Sequence, residues 1–256
     1  MSVEVTFLGT GTSQGVPLIS CTCDVCISED PKDKRLRTSI KIVTQGKTFV
    51  IDTGPDFRQQ MLRENVKGLD GIIFTHEHKD HTAGLDDVRA FNFMLKKSIE
   101  VYVSDNVEDA LRREYRYIFD GSKYPGIPRI NLHHIENKPF EAAGVEFIPI
   151  KVLHHKLPVL GFRIGDFTYI TDASEIPEDE KNKIKGSKVL VLNALRKEEH
   201  ISHFTLDEAV ALFEELKPDT GYIIHISHQL GKHEIVEKEL PNNIRLSYDG
   251  LKLNIG

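Results

Sequence analysis

The stretch Thr75-His76-Glu77-His78-Lys79-Asp80-His81 constrains this chain more than any other. Four side chains able to ligate a metal fall within six positions, in the pattern H-x-H-x-D-H. They follow Gly71-Ile72-Ile73-Phe74, an apolar run that reads as a buried strand. The ligands therefore stand on the turn leaving that strand, where open α/β sheets place their chemistry. Neutral imidazole suits zinc, iron or nickel, and carboxylate suits harder divalent ions, so the mixture fits a hydrolytic transition-metal site. A polar surface loop that merely happens to be His-rich would rarely show this density of ligands.

A strand-borne site needs a scaffold, and 256 residues are enough for one large domain or two small ones. No linker-like stretch divides the sequence, so a single domain over 1–256 is expected. A net charge of −6 argues against wholesale coating of nucleic acid. The opening residues alternate like a strand and carry an acid early, unlike a signal peptide. No apolar run approaches the ~20 residues a spanning helix needs. A cytoplasmic protein without a membrane partner is the expectation.

All three cysteines lie in Cys21-Thr22-Cys23-Asp24-Val25-Cys26. An odd number so tightly packed is a poor disulfide framework, and a cytosolic setting makes one less favourable still. Three thiolates at this spacing suit three corners of a tetrahedral zinc site, with a histidine as the fourth.

Periodicity and turn residues predict a strand over 3–8, a long Gly- and Cys-bearing loop, and strands over 38–44 and 47–52 joined by a Gln45-Gly46 hairpin turn. A helix follows Asp52-Thr53-Gly54-Pro55, with Pro in its first turn. Beyond the metal motif come an amphipathic stretch over 86–97, a strand over 99–103 and a helix over 105–115. Strands near 145–152, 160–164 and 167–171 open the second half, and Val189-Leu190-Val191-Leu192 and Tyr222-Ile223-Ile224-His225 read as buried strands. Thr205-Leu206-Asp207-Glu208 is a capping box for a helix running to about Leu216. Such an order suggests a two-sheet sandwich covered by helices. The basic, aromatic, turn-rich segment 112–130 reads as an inserted loop.

A hydrolytic centre needs more ligands than one motif supplies, and His154, Asp172 and His225 each stand at or near the end of a predicted strand. His155, adjacent to His154, cannot be separated from it by spacing. His133, His134 and His233 lack a supporting context.

With these residues in order, the chain resembles the metallo-β-lactamase superfamily of dinuclear hydrolases. The resemblance runs through Leu8-Gly9-Thr10-Gly11-Thr12, the strand-end Asp52, H-x-H-x-D-H, and then His, Asp and His. It implies an α/β fold, a four-layer αββα sandwich, with two divalent ions, zinc or manganese, at the catalytic centre. By it His76, His78 and His154 hold one ion, Asp80, His81 and His225 the other, and Asp172 bridges. His154 is preferred over His155 because His154-x-Lys156-Leu157 follows the family pattern. His at position 78, where the oxygen-reducing diiron branch usually has Glu, disfavours a redox role.

A narrower resemblance joins Gly9-Thr10-Gly11-Thr12-Ser13-Gln14-Gly15-Val16-Pro17, C-x-C-x2-C and His225-Ile226-Ser227-His228-Gln229 to the phosphoribosyl cyclic phosphate phosphodiesterases of the carbon–phosphorus-lyase pathway. It implies that His228 completes a structural zinc with Cys21, Cys23 and Cys26. His203, in a run resembling the family's auxiliary-histidine motif, is the expected proton donor and a phosphate contact. Asp80 counts among the catalytic residues as well as the ligands. Arg89 matches an arginine expected to grip phosphate through a bidentate fork. The segments 52–58 and 157–163 match that branch only loosely.

The expected activity is hydrolysis of a small or cyclic phosphodiester by a hydroxide bridging two ions about 3.5–4 Å apart. A nuclease resembling the tRNA 3′-end processing enzymes is the rival, disfavoured because no basic arm is evident and the chain is acidic. A thioester or lactam hydrolase fits less well, since the match is to the phosphodiester branch. A non-catalytic, metal-stabilised binding module would be expected to have lost a ligand, and none is missing. The expected partner is a small phosphodiester rather than a large nucleic acid, and a homodimer is admissible.

Overall fold

Side-chain alternation builds the layers. In β1 (Val3–Gly9), β2 (Ser39–Thr44) and β3 (Lys47–Ile51), the side chains of Val3, Val5, Phe7, Ile40, Ile42, Phe49 and Ile51 point to one face and enter a central core. Leu8 and Val50 point to the other face, where helices cover them. A period of two along a strand has this consequence whenever both faces are buried.

The computed structural model describes residues 2–121 and 124–256; Met1 lies outside them, as do Ser122 and Lys123 of the segment 112–130. The first of two seven-stranded sheets continues from β3 through β4 (Gly71–Ile73), β5 (Ile99–Val103) and β6 (Ile130–His134), all parallel, with β14 (Lys252–Ile255) antiparallel outside β1. The second holds β7 (Phe140–Ala142), β8 (Val145–His154), β9 (Leu157–Ile164), β10 (Phe167–Tyr169), β11 (Val189–Asn193), β12 (Thr220–Ile224) and β13 (Ile244–Leu246) in sequence order. From β10 to β13 it too is parallel. Phe147, Phe162, Phe167 and Tyr169 meet the first sheet's apolar face in the common core. Each of these phenylalanines, fully buried, contributes about 1.5–3 kcal/mol relative to exposure.

Helices α1 (Phe57–Arg63), α3 (Arg89–Leu95) and α4 (Asp105–Glu114) pack on the outer face of the first sheet. Helices α6 (Glu178–Ile184), α7 (Leu206–Leu216) and α8 (His233–Glu239) cover the second. Two short helices, α2 (Lys79–Thr82) and α5 (Arg116–Phe119), complete the set. The order of layers is α, β, β, α, as the resemblance implied. No helix among the described residues is long and apolar enough to cross a membrane.

The Gln45-Gly46 turn has positive φ at both residues (50° and 71°), which matches the twist of the strands it joins. The capping box is closed: Glu208 N donates to Thr205 Oγ1 at 3.2 Å, and Thr205 N donates to Glu208 Oε2 at 2.8 Å.

Three expectations change. Helix α1 starts at Phe57 rather than at Pro55, and the Asp56 carboxylate before it is engaged by Arg37 N and Nη1 (2.8 and 2.9 Å) instead of capping the helix. The stretch 86–97 is a 3₁₀ turn, Leu85–Val88, followed by α3, which ends where Lys96 adopts φ 55°. The segment 112–130 is not an inserted loop throughout: it contains the last turn of α4, all of α5 and the first residue of β6. Buried Leu111 and Tyr115 anchor it, and the Tyr115 hydroxyl donates to the Thr82 carbonyl at 2.9 Å.

Candidate metal centre

The C-terminal ends of parallel β3, β4, β11 and β12 gather at one edge of the sandwich, together with the ends of β8 and β10. Phe74 and Thr75 carry the chain out of β4. Asp52, immediately after β3, clamps this exit: its Oδ1 accepts from Thr75 N at 2.9 Å and its Oδ2 from Thr75 Oγ1 at 2.8 Å. The single turn of α2 then reverses the chain, so that Asp80 and His81 return toward His76. The rings of His76 and His81 lie 4.2 Å apart by centroid.

Two groups of potential ligands result. Atoms of Asp80, His81, Asp172 and His225 lie within 4.8 Å of one another, and so do atoms of His154, Asp172 and His203. Asp172 belongs to both. The ring of His78 stands edge-on to those of His76 (4.6 Å) and His154 (5.2 Å), and the His76 and His154 rings are 5.9 Å apart. All seven residues expected at the catalytic centre are thus drawn together. His154 is buried, and its Nδ1 donates to the Ser202 carbonyl at 2.6 Å, leaving Nε2 as the free nitrogen. His155 is exposed and turned away, in a left-handed conformation (φ 56°).

Asp52, Asp172 and His225 share that conformation, with φ of 64°, 56° and 58°. Non-glycine residues rarely adopt it, and it recurs where surrounding structure over-determines a functional site. Here it turns each side chain back across the strand ends. Asn193 holds the Asp172 turn by accepting from Ala173 N (2.7 Å) and donating to the Ala173 carbonyl (2.9 Å).

His76 Nε2, His81 Nε2 and His225 Nδ1 are buried with no hydrogen-bond partner. An unsatisfied buried polar atom costs about 1–3 kcal/mol, so a cluster of them facing carboxylates suits a cation. The second ring nitrogen of His81 is taken: Nδ1 lies 2.7 Å from Asp52 Oδ2. That is the carboxylate–histidine pairing that leaves Nε2 as a ligand. The donor set of imidazole and carboxylate therefore fits divalent transition ions.

Charge follows the same geometry. Burial pushes the Asp52 carboxyl up, and its bond to His81 offsets this only in part. Burial opposes the His81 cation, yet Asp80, Asp172 and Asp52 around it hold its pKa well above the usual value. Burial likewise opposes the Asp172 carboxylate, but His225 and His81 keep it well below the ordinary range. His76 is pushed well down by burial, with His81 adding to it. His203, 3.9 Å from Asp172 Oδ1 and stacked on His225 at 4.8 Å, is driven down to about 3 by burial and then by His225.

The second cluster lies on loops. His228 Nδ1 is 3.4 Å from Cys21 Sγ and 3.2 Å from Cys23 Sγ, and all four candidate ligands, Cys26 included, fall within 4.8 Å. Tetrahedral zinc with ordinary bond lengths places sulfur and nitrogen ligands about 3.6 Å apart, close to these separations. Cys23 is lowered to about 6, first by its bond to His228, whereas burial raises Cys26 to about 11. Backbone bonds from Thr12 N to Ile226 O (3.1 Å) and from Ile226 N to Thr10 O (2.9 Å) hold the two loops together.

Comparison with known proteins accords with this arrangement. The beta-lactamase superfamily domain matches residues 47–226. The chain belongs to the beta-lactamase superfamily. Within this superfamily, the crystal structure of a new diphosphatase from the PhnP family superposes with a TM-score of 0.93 at 41% identity, covering 100% of this chain and 98% of that one. That likeness puts the chain in the PhnP-like branch of the superfamily. An octanoyltransferase from Porphyromonas gingivalis is 40% identical over 248 residues, 96% of this chain and 50% of its own length. A Ribonuclease Z from Thermosynechococcus vestitus is 24% identical over 168 residues, 64% of this chain and 37% of its own. The chain thus spans half or less of the curated relatives it matches.

Arg89 stands apart from the ligand groups described above. It pairs with Asp86 on the surface and, with Asn92, Phe93 and Arg129, lines a separate cavity of about 320 Å³. Asp52, Asn193 and Thr12, whose Oγ1 is 3.3 Å from His225 Nε2, received no role from the sequence reading. Asp52 and Asn193 carried a usable signal, since each is a polar residue ending an apolar strand.

Proposed function

We propose that the chain is a metal-dependent phosphodiesterase acting on a small or cyclic phosphodiester. The buried, unpartnered nitrogens of His76, His81 and His225 beside Asp80 and Asp172 carry this reading. Two divalent ions, zinc or manganese, would be held by His76, His78 and His154 and by Asp80, His81 and His225, with Asp172 between. Such ions supply Lewis acidity and a nucleophile drawn from water at neutral pH. The residues themselves do the rest. Asp52 fixes the His81 ring through Nδ1, and the Ser202 carbonyl fixes His154. His203 is positioned by Phe204 N donating to the Ala173 carbonyl at 2.9 Å, and it delivers a proton to the leaving oxygen. Burial keeps His203 neutral, and an anionic phosphate beside it acts in the opposite direction, favouring the protonated donor. The Cys21, Cys23, Cys26 and His228 cluster is assigned to a structural zinc.

The PhnP-family diphosphatase supports phosphate-ester chemistry on this fold. Octanoyl transfer is the name of a protein of which half is unmatched here, and nothing in the cluster calls for it. A second reading, RNA 3′-end cleavage, is favoured by the Ribonuclease Z match and opposed by a net charge of −6.

The test is turnover of bis(4-nitrophenyl) phosphate by protein reconstituted with zinc or manganese, beside a His76→Ala control. Turnover abolished in the control is the expected result. No turnover with two ions bound overturns the reading, and preferential cleavage of a precursor tRNA replaces it with the nuclease.

A further inference from the structure

Helices α1 and α3 both pack on the outer face of the first sheet, and a cavity of about 370 Å³ lies between them, beside the 3₁₀ turn Leu85–Val88. Buried Phe57, Met61 and Phe91 line it, and Leu62 and Met94 stand with them although 63% and 50% exposed. Large apolar side chains left in water around an apolar hollow mark a place where something binds. None of the residues lining this cavity belongs to either ligand cluster.

Three charged side chains complete the lining: Arg58, Lys67 and Asp87. Arg58 and Lys67 have no ion pair or side-chain hydrogen bond among the described residues. Arg63 and Arg89, on the same two helices, differ: the first pairs with Glu64 and Asp249, the second with Asp86. Asp87 is within ion-pair distance of neither free cation, so two unpaired positive charges face one carboxylate. Arg58 and Lys67 are both exposed, and their long, unrestrained side chains can follow a headgroup at the mouth.

A hollow of this size suits a small molecule, since a protein partner needs about 800 Å² of surface on each side. Its apolar floor disfavours a polar ligand, whose groups would lose water without gaining partners. The excess of positive charge at the rim favours an anionic head over a neutral or cationic one. Met61 and Met94 are adaptable side chains that can shape themselves to a flexible tail. By the ~150 Å³ that benzene occupies in a dry protein cavity, the space admits a chain of about eight to twelve carbons. We propose that this cavity binds a free medium-chain fatty acid, with its tail on Phe57, Met61 and Phe91 and its carboxylate paired with Arg58 and Lys67. The site stands apart from the metal centre, so it does not depend on the phosphodiesterase reading.

The test is titration calorimetry on the full chain with decanoate, octanoate and 1-decanol as probes. Wild type should bind one decanoate per chain. Octanoate, shorter by two methylenes, should bind on the order of ten-fold more weakly. 1-Decanol, which loses two exposed ion pairs, should bind about five-fold more weakly. Arg58→Gln combined with Lys67→Gln should erase the preference for decanoate over 1-decanol. Leu62→Asp, a substitution at an exposed position, sets a carboxylate at the mouth and should weaken decanoate about ten-fold. No decanoate binding, equal wild-type affinity for decanoate and 1-decanol, or affinities unmoved in both variants overturns the site. So does a wild-type dimer that binds no decanoate and that Leu62→Asp turns into a monomer, which would give this face to a second copy of the chain.

Discussion

The two ligand clusters of this chain both draw on histidine, one combining it with aspartate and the other with cysteine. The His/Asp cluster sits on strand ends, and its backbone is locked by clamps such as Asp52 on Thr75. The Cys/His cluster sits on two loops far apart in sequence, residues 21–26 and 228, joined by backbone bonds from Thr12 N to Ile226 O and from Ile226 N to Thr10 O. On the proposed reading, the first would have its scaffold before its ion, and the ion would supply chemistry. In the second, the proposed zinc would close a four-ligand set drawn from two loops, so that its binding free energy would become folding free energy. A catalytic zinc site keeps a position open for water or substrate, whereas a structural one is closed by four protein ligands.

The largest effect that would break this contrast is expected at Asp172, common to both groups of potential ligands in the His/Asp cluster. Asp172→Ala should lower kcat/KM on a chromogenic diester on the order of 10³-fold, with little change in melting temperature. A large fall in melting temperature with activity retained would mean that the His/Asp cluster is the structural one. Next in size, Cys23→Ser should remove one zinc per chain and lower the melting temperature by about 10 °C, corresponding to roughly 3 kcal/mol. Unchanged zinc content and melting temperature would dismiss the structural assignment. The smallest effect sharpens the comparison: Asp52→Asn keeps the shape but weakens the hold on His81 Nδ1, and should cost about 10–100-fold in metal affinity or activity. Metal titration followed by kinetics measures it, and an effect below two-fold would show that Asp52 orients nothing.

Much of the site was legible because strand ends announce themselves. An apolar run closing on His, Asp or Cys needs only period and hydropathy to be seen, and this located His76, His154, Asp172 and His225. The hairpin at Gln45-Gly46 and the Thr205–Glu208 box were equally local. The edge strands β7, β13 and β14 were not legible, because three or four residues carry too little pattern. Segment 112–130 was misread because its polar and aromatic composition resembles a loop, while burial of Leu111 and Tyr115 made its first part helical.

Residue identity and spacing by themselves placed candidate ligands at strand ends and suggested two sheets under helices, because both depend on short-range pattern; the layer order and the branch came through the resemblance to the superfamily. Only the tertiary structure decided that His154 rather than His155 faces the cluster, that Asp52 orients His81, and that Arg89 turns to Asp86. It also decided that Asp172 and His225 fold back in left-handed conformations. Those outcomes depend on which strand ends become neighbours, and a side chain's direction there is set by packing and by hydrogen bonds across more than a hundred residues, such as Thr12 to Ile226.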